Sequence, residues 1–127
     1  MDFKPVFTPK APQPVGPYSQ AMRAGGFLFT SGQLGINPQT GKLCQESLEE
    51  ELRQALENLR QILKAEGADF NRVVSVNIYL TNLADFAKVN QLYAEAFGAH
   101  HPTRTTVEVA ALPLGARVEI SLIAWLG

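Results

Sequence analysis

The segment from Ser47 to Gly67 constrains this chain more than any other. Its apolar residues, Leu48, Leu52, Ala55, Leu56, Leu59, Ile62 and Leu63, recur with the 3.6-residue period that places them on one face of a helix. Ser47, with Glu50 three residues on, reads as a capping box in which each side chain accepts from the other residue's backbone N–H. Glu49, Glu50 and Glu51 set negative charge against the positive end of the helix dipole, and Gly67 supplies the stop. A helix with one apolar stripe gains most of its stability from packing that stripe, so the rest of the chain has to offer a surface that covers it.

That surface reads as a sheet. Val74, Val76, Ile78 and Leu80 alternate with Ser75, Asn77, Tyr79 and Thr81, a period of two. Near the C-terminus, Thr105, Val107 and Val109 alternate with Arg104, Thr106 and Glu108. After the turn Leu112-Pro113-Leu114-Gly115, Val118, Ile120, Leu122 and Ala124 alternate with Arg117, Glu119, Ser121 and Ile123. Phe27 to Ser31 is a further short strand behind the Gly25-Gly26 turn signal, and Gly16-Pro17 marks an earlier turn. A second helix, capped by Asn82 with Asp85 in its first turn, carries the stripe Phe86, Val89, Tyr93, Ala96 and Phe97 and closes at Gly98. The order strands, helix, strand, helix, two strands predicts an α+β fold, with both helices on one face of a mixed sheet.

The 127 residues suit a single domain spanning 1–127, and 46% apolar with 18% charged residues belongs to a globular chain. A net charge of −1 gives no basic excess for neutralising phosphates, which argues against nucleic acid as a partner. Met1 to Pro5 has no apolar signal core, and no stretch approaches the roughly 18 apolar residues of a membrane span. The single cysteine, Cys44, excludes an intrachain disulfide and agrees with a reducing, cytoplasmic location.

The sheet face turned away from the helices is expected to carry Arg104, Thr106, Glu108, Glu119 and Ser121, together with Ile123, Trp125 and one side of the Phe27–Ser31 strand. A half-polar face with aromatic members points to contact with another subunit.

Arg104 follows the breaker Pro102 and sits between two threonines. Its guanidinium is either a planar clamp for a carboxylate or phosphate, or an ion-pair partner of Glu108 or Glu119. Glu119, mid-strand among apolar neighbours, is either an acid/base and water-positioning group or the partner of Arg104 or Arg117. Asn90 falls on the apolar stripe of the second helix, where a buried amide needs partners in the core or at a site edge. His100 and His101 are adjacent and lack further ligands at a metal-binding spacing, so no metal site is expected. Nothing near Cys44 lowers its pKa, which leaves it passive.

Three segments add to this reading. Gly16-Pro17-Tyr18-Ser19-Gln20-Ala21, Thr30-Ser31-Gly32-Gln33 and Pro102-Thr103-Arg104-Thr105-Thr106-Val107-Glu108-Val109 stand in an order and spacing that resembles the Rid family, the enamine/imine deaminases also called YjgF proteins. Asn37-Pro38-Gln39-Thr40-Gly41 and Ala84-Asp85-Phe86-Ala87-Lys88-Val89-Asn90 extend the similarity over essentially the whole chain. The resemblance implies a chorismate-mutase-like α+β fold assembled as a homotrimer, with active sites in clefts between subunits. It also implies cofactor-free hydrolysis of short 2-imino acids to 2-keto acids and ammonia. Carried onto this sequence, Arg104 binds the substrate carboxylate and Tyr18 packs over its small side chain. Ser31 and Gly32 line the pocket, Asn90 shapes it, and Glu119 with the backbone near Thr106 holds the attacking water. The chain departs from many relatives in having Thr106 where they have Cys, and His101 where an aromatic or apolar residue is common. Two other readings accompany the resemblance: a ribonuclease or translation inhibitor, and a non-catalytic small-molecule-binding trimer.

Overall fold

The computed structural model describes residues 2–127. Three strands open the chain, β1 (Phe3–Val6), β2 (Ala21–Ala24) and β3 (Phe27–Thr30). They are followed by α1 (Leu48–Ala65), β4 (Val73–Leu80), α2 (Phe86–Phe97), β5 (Thr103–Glu108) and β6 (Val118–Trp125). The six strands make one mixed sheet in the order β1-β2-β3-β6-β4-β5. β4 and β5 pair in parallel because α2 carries the chain back across the sheet, and the remaining neighbours are antiparallel.

α1 begins where its signals placed it. The Glu50 N–H donates to Ser47 Oγ at 3.1 Å. Gly67 takes a φ of +75°, and the Ala68 N–H donates to Leu63 O at 3.0 Å to close the last turn. Leu52, Leu59, Ile62 and Leu63 are fully buried against Leu28, Val76, Ile78, Val118, Ile120 and Leu122 from the sheet. The helix-plus-sheet expectation therefore holds. Among the described residues no helix is long and apolar enough to cross a membrane.

Three details differ from the sequence reading. β1 and β2 add a hairpin edge that has too few alternating residues to announce itself, and Pro5 is tolerated there because β1 is the sheet edge. In β4, a register shift between Val73 and Ser75 puts Val73 in the core and leaves Val74 exposed, so the period of two is interrupted at its first step.

The third difference concerns faces. Arg104, Thr106 and Glu108 pair in register with Val76, Ile78 and Leu80, the core-facing residues of β4. They therefore point to the helix side, not to the open face where the sequence reading placed them beside Glu119 and Ser121. The open face carries Thr103, Thr105 and Val107 of β5, level with Ser75, Asn77 and Tyr79 of β4 and with Ile123, Ser121 and Glu119 of β6. On β5 every position is polar or small except Val107, so its alternation held no signal for which side faces the helices. Phe27 and Phe29 extend the open face opposite Trp125 and Ile123, and all but Ile123 of these four are exposed.

Candidate active site

The expected site residues fall into two groups on opposite faces of the sheet. Arg104, Thr106 and Asn90 belong to the helix side. Arg104 Nη2 donates to Asn90 Oδ1 at 2.6 Å, which gives the amide on the apolar stripe of α2 its partner. The guanidinium also lies 4.8 Å from the Tyr93 ring centroid and 5.5 Å from that of Phe86. Asn90, Tyr93 and Arg104 line an open cleft of about 300 Å³, together with Phe97, His101 and Pro102. Two hydroxyls on this side, Tyr93 OH and Thr106 Oγ1, are buried without a hydrogen-bond partner. Burial pushes the Tyr93 phenol up, partly offset by the Arg104 charge.

Tyr18, Ser31, Gly32 and Glu119 form the second group. Gln20, which is almost completely buried, accepts from the Ser31 N–H through its main-chain O at 2.9 Å and staples the Thr8–Pro12 segment through its side chain. Its Oε1 accepts from the Thr8 N–H at 2.7 Å, and its Nε2 donates to Thr8 O at 3.0 Å and Pro12 O at 2.9 Å. Ser31 Oγ donates to Ser19 O at 2.6 Å, so this hydroxyl fixes the loop that carries Tyr18. Tyr18 itself is exposed and shares a shallow cleft with Gly32, Val15 and Leu34. Gln33 exchanges backbone hydrogen bonds with Ile120 at 2.7 and 3.1 Å, which brings Gly32 over the side chain of Glu119. Burial raises the Glu119 carboxyl above its ordinary value.

The ion pairs that offered a bland account of these residues are not made. Arg117 Nε donates to Glu51 Oε1 at 2.9 Å, and Glu108 Oε1 accepts from the Leu83 N–H at 2.7 Å. Among the described residues neither Arg104 nor Glu119 takes part in an ion pair. Arg104 is left with unoccupied donors, and Glu119 with a partly desolvated, unneutralised carboxylate. Partial burial, followed by the charges of Glu50, Glu46 and Glu51, pushes the Cys44 thiol up, the opposite of an activated nucleophile. Among the described residues, no His, Cys, Asp and Glu side chains cluster as a metal site would require.

Two buried supports escaped the sequence reading. Glu51 was assigned to the helix dipole, yet it is fully buried and also accepts from the Arg117 N–H at 2.7 Å, fixing the entry to β6 two residues before Glu119. Asn58, two turns further along α1, donates to Leu34 O at 3.1 Å and Ile36 O at 2.9 Å, holding the segment after Gly32. A seven-residue spacing of polar side chains inside an apolar stripe was the available signal.

Comparison with known proteins bears on this arrangement. The family described as Endoribonuclease L-PSP matches residues 8–126. The chain belongs to this family, the Rid family. A mouse protein named 2-iminobutanoate/2-iminopropanoate deaminase is 46% identical over 121 residues, covering 95% of this chain and 90% of that one. Reactive Intermediate Deaminase A, chloroplastic, of Arabidopsis thaliana is 52% identical over 121 residues, which is 95% of this chain and 65% of the relative. The crystal structure of E. coli TdcF with bound serine superposes with a TM-score of 0.93 at 36% identity, covering 98% of this chain and 99% of that one. The Rid fold therefore extends over nearly the whole chain, both residue groups included.

Proposed function

We propose that this Rid protein hydrolyses short 2-imino acids and their enamine tautomers, 2-iminopropanoate and 2-iminobutanoate among them, to 2-keto acids and ammonia. One observation carries the reading: each chain offers an unpaired guanidinium on one sheet face and an unpaired, partly desolvated carboxylate on the other. A small substrate with one carboxylate and one hydrolysable carbon needs both, and a second copy of the chain supplies the missing half. Relatives named for this deaminase activity, and a related structure holding serine, support an amino-acid-sized ligand.

The chemistry follows from the side chains. In-plane donors of Arg104 bind the carboxylate and set the plane of the imine. Glu119 accepts a proton from water as the water oxygen bonds to C2 and the C=N pair moves to nitrogen, and it hands that proton on to the nitrogen. It then takes the carbinolamine hydroxyl proton as the C2 carbonyl forms, and that proton goes to the leaving nitrogen as the C–N bond breaks and ammonia departs. An imine carbon is already electrophilic, so orientation and a delivered water supply most of what the reaction needs. No cofactor enters the scheme.

The assembly is a homotrimer in which Phe27, Phe29, Val107 and Trp125, each at least 40% exposed, are covered around the three-fold axis. Such a protein acts in the cytoplasm beside enzymes that release 2-aminoacrylate, removing a reactive by-product. The family description also names an endoribonuclease. A single arginine opposite a carboxylate suits one small anion better than a phosphodiester chain, which calls for a basic track. Keto-acid formation from 2-aminoacrylate generated in situ decides the matter. Acceleration by the protein, lost in Arg104→Ala, supports the reading, and a rate equal to the buffer control overturns it.

A further inference from the structure

We propose that Phe86 and Tyr93 are positioning residues whose rings both contact the Arg104 guanidinium and, with Asn90, orient its remaining donors for the substrate carboxylate. The inference rests on the carboxylate-binding role proposed above.

Phe86, Asn90 and Tyr93 occupy positions i, i+4 and i+7 of α2 and so lie along one helix face. Phe86 opens the apolar stripe but is 40% exposed, so it contributes little to the core. The centre of the Arg104 guanidinium is 5.5 Å from the Phe86 centroid and 4.8 Å from the Tyr93 centroid. Both rings thus lie within cation–π reach of the same guanidinium. Asn90, midway, accepts from Nη2 at 2.6 Å.

Each part removes a freedom from a long side chain. Aromatic faces attract a cation and shed its water without consuming N–H donors. The amide uses one donor and fixes rotation about the guanidinium axis. The donors left free lie in the guanidinium plane, matched to a planar carboxylate arriving in that plane. The entropy of ordering Arg104 is thus met by the fold before substrate arrives. A cradle of this kind acts on binding and leaves the water-delivering group on the opposite face untouched.

The test compares Phe86→Leu with Phe86→Tyr, each read for 2-iminobutanoate turnover, for binding of 2-oxobutanoate by calorimetry, and for melting temperature. Loss of one cation–π contact at a partly exposed ring corresponds to about two- to fivefold weaker binding. Phe86→Leu is expected to raise KM and the 2-oxobutanoate Kd by that factor, with kcat within about twofold, since a group acting equally on ground and transition states changes KM alone. Phe86→Tyr, which keeps the ring face, recovers most of the affinity, and both variants melt close to the unsubstituted protein. Unchanged KM and Kd in Phe86→Leu, while Arg104→Ala abolishes 2-oxobutanoate binding, overturns the cradle and leaves the proposed function standing. If the unsubstituted protein neither turns over 2-iminobutanoate nor binds 2-oxobutanoate, the functional reading fails first, and the cradle fails with it.

Discussion

A methyl group added at Gly32 would sit 2.6 Å from Cδ of Glu119. The carboxylate occupies the space that a side chain would need, so any residue but glycine here displaces the end of Glu119. Gly32→Ala is expected to push Glu119 out of place and to lower turnover by about a hundredfold, the cost of roughly 1 Å of misplacement at a reacting group. Overpacking should also cost about 1–3 kcal/mol of stability. Steady-state rates and urea denaturation check the two parts, and a fully active Gly32→Ala would remove Glu119 from the mechanism.

Glu119 should also set the acid limb of the pH–rate profile. Burial raises its carboxyl above the ordinary 4.5, and it must be ionised to accept a proton from water. Turnover is therefore expected to fall with decreasing pH through a midpoint above that ordinary value. The stability effect has the opposite sense. Between the unfolded and the raised folded value the native state binds the extra proton, so this residue's contribution to stability falls as pH rises through that window. Glu119→Gln should remove both the acid limb and this pH-dependent loss. Denaturation midpoints that rise with pH in the same window, relative to Glu119→Gln, would reverse the assignment.

Much of the fold was legible because its signals were redundant. Ser47 capped α1 and Gly67 ended it, and β4 and β6 announced themselves through long alternation. The site was legible only as a set of residue types. Arg104, Asn90, Tyr18, Gly32 and Glu119 were named in advance, but their division between two faces was not. Deciding it required the register of Arg104 against Val76, a property of strand pairing and not of β5's own composition. Glu51 and Asn58 were missed for a related reason. Each bonds to backbone at least 22 residues away, beyond the reach of local pattern.

Thr106 gives a prediction of stability. Its Oγ1 is buried with no partner, a state that costs about 1–3 kcal/mol. Thr106→Val replaces the hydroxyl with a methyl group and is expected to stabilise the protein by up to about 1 kcal/mol. Turnover should stay near normal if the backbone at this position holds the water. A large fall in kcat for Thr106→Val, restored in Thr106→Ser, would assign the hydroxyl itself a part in the reaction.

The separation of Arg104 from Glu119 makes a prediction about mixing subunits. A trimer of 13.9 kDa chains has a mass of about 42 kDa, which light scattering measures directly. With Arg104 and Glu119 on opposite sheet faces, each cleft of that trimer is expected to take its arginine from one chain and its glutamate from the next. Arg104→Ala and Glu119→Gln are each expected to be nearly inactive as pure trimers. Unfolded together and refolded at equal amounts, they form mixed rings in which a cleft is intact when an Arg104→Ala chain supplies the glutamate and a Glu119→Gln chain supplies the arginine. Random assortment makes that about one cleft in four, so roughly a quarter of the unsubstituted activity should return. No single-chain site can give this result, because every chain in the mixture lacks one of the two groups. Activity that stays at the level of the separate variants, with trimers formed, would mean that one chain brings both residues to the same substrate.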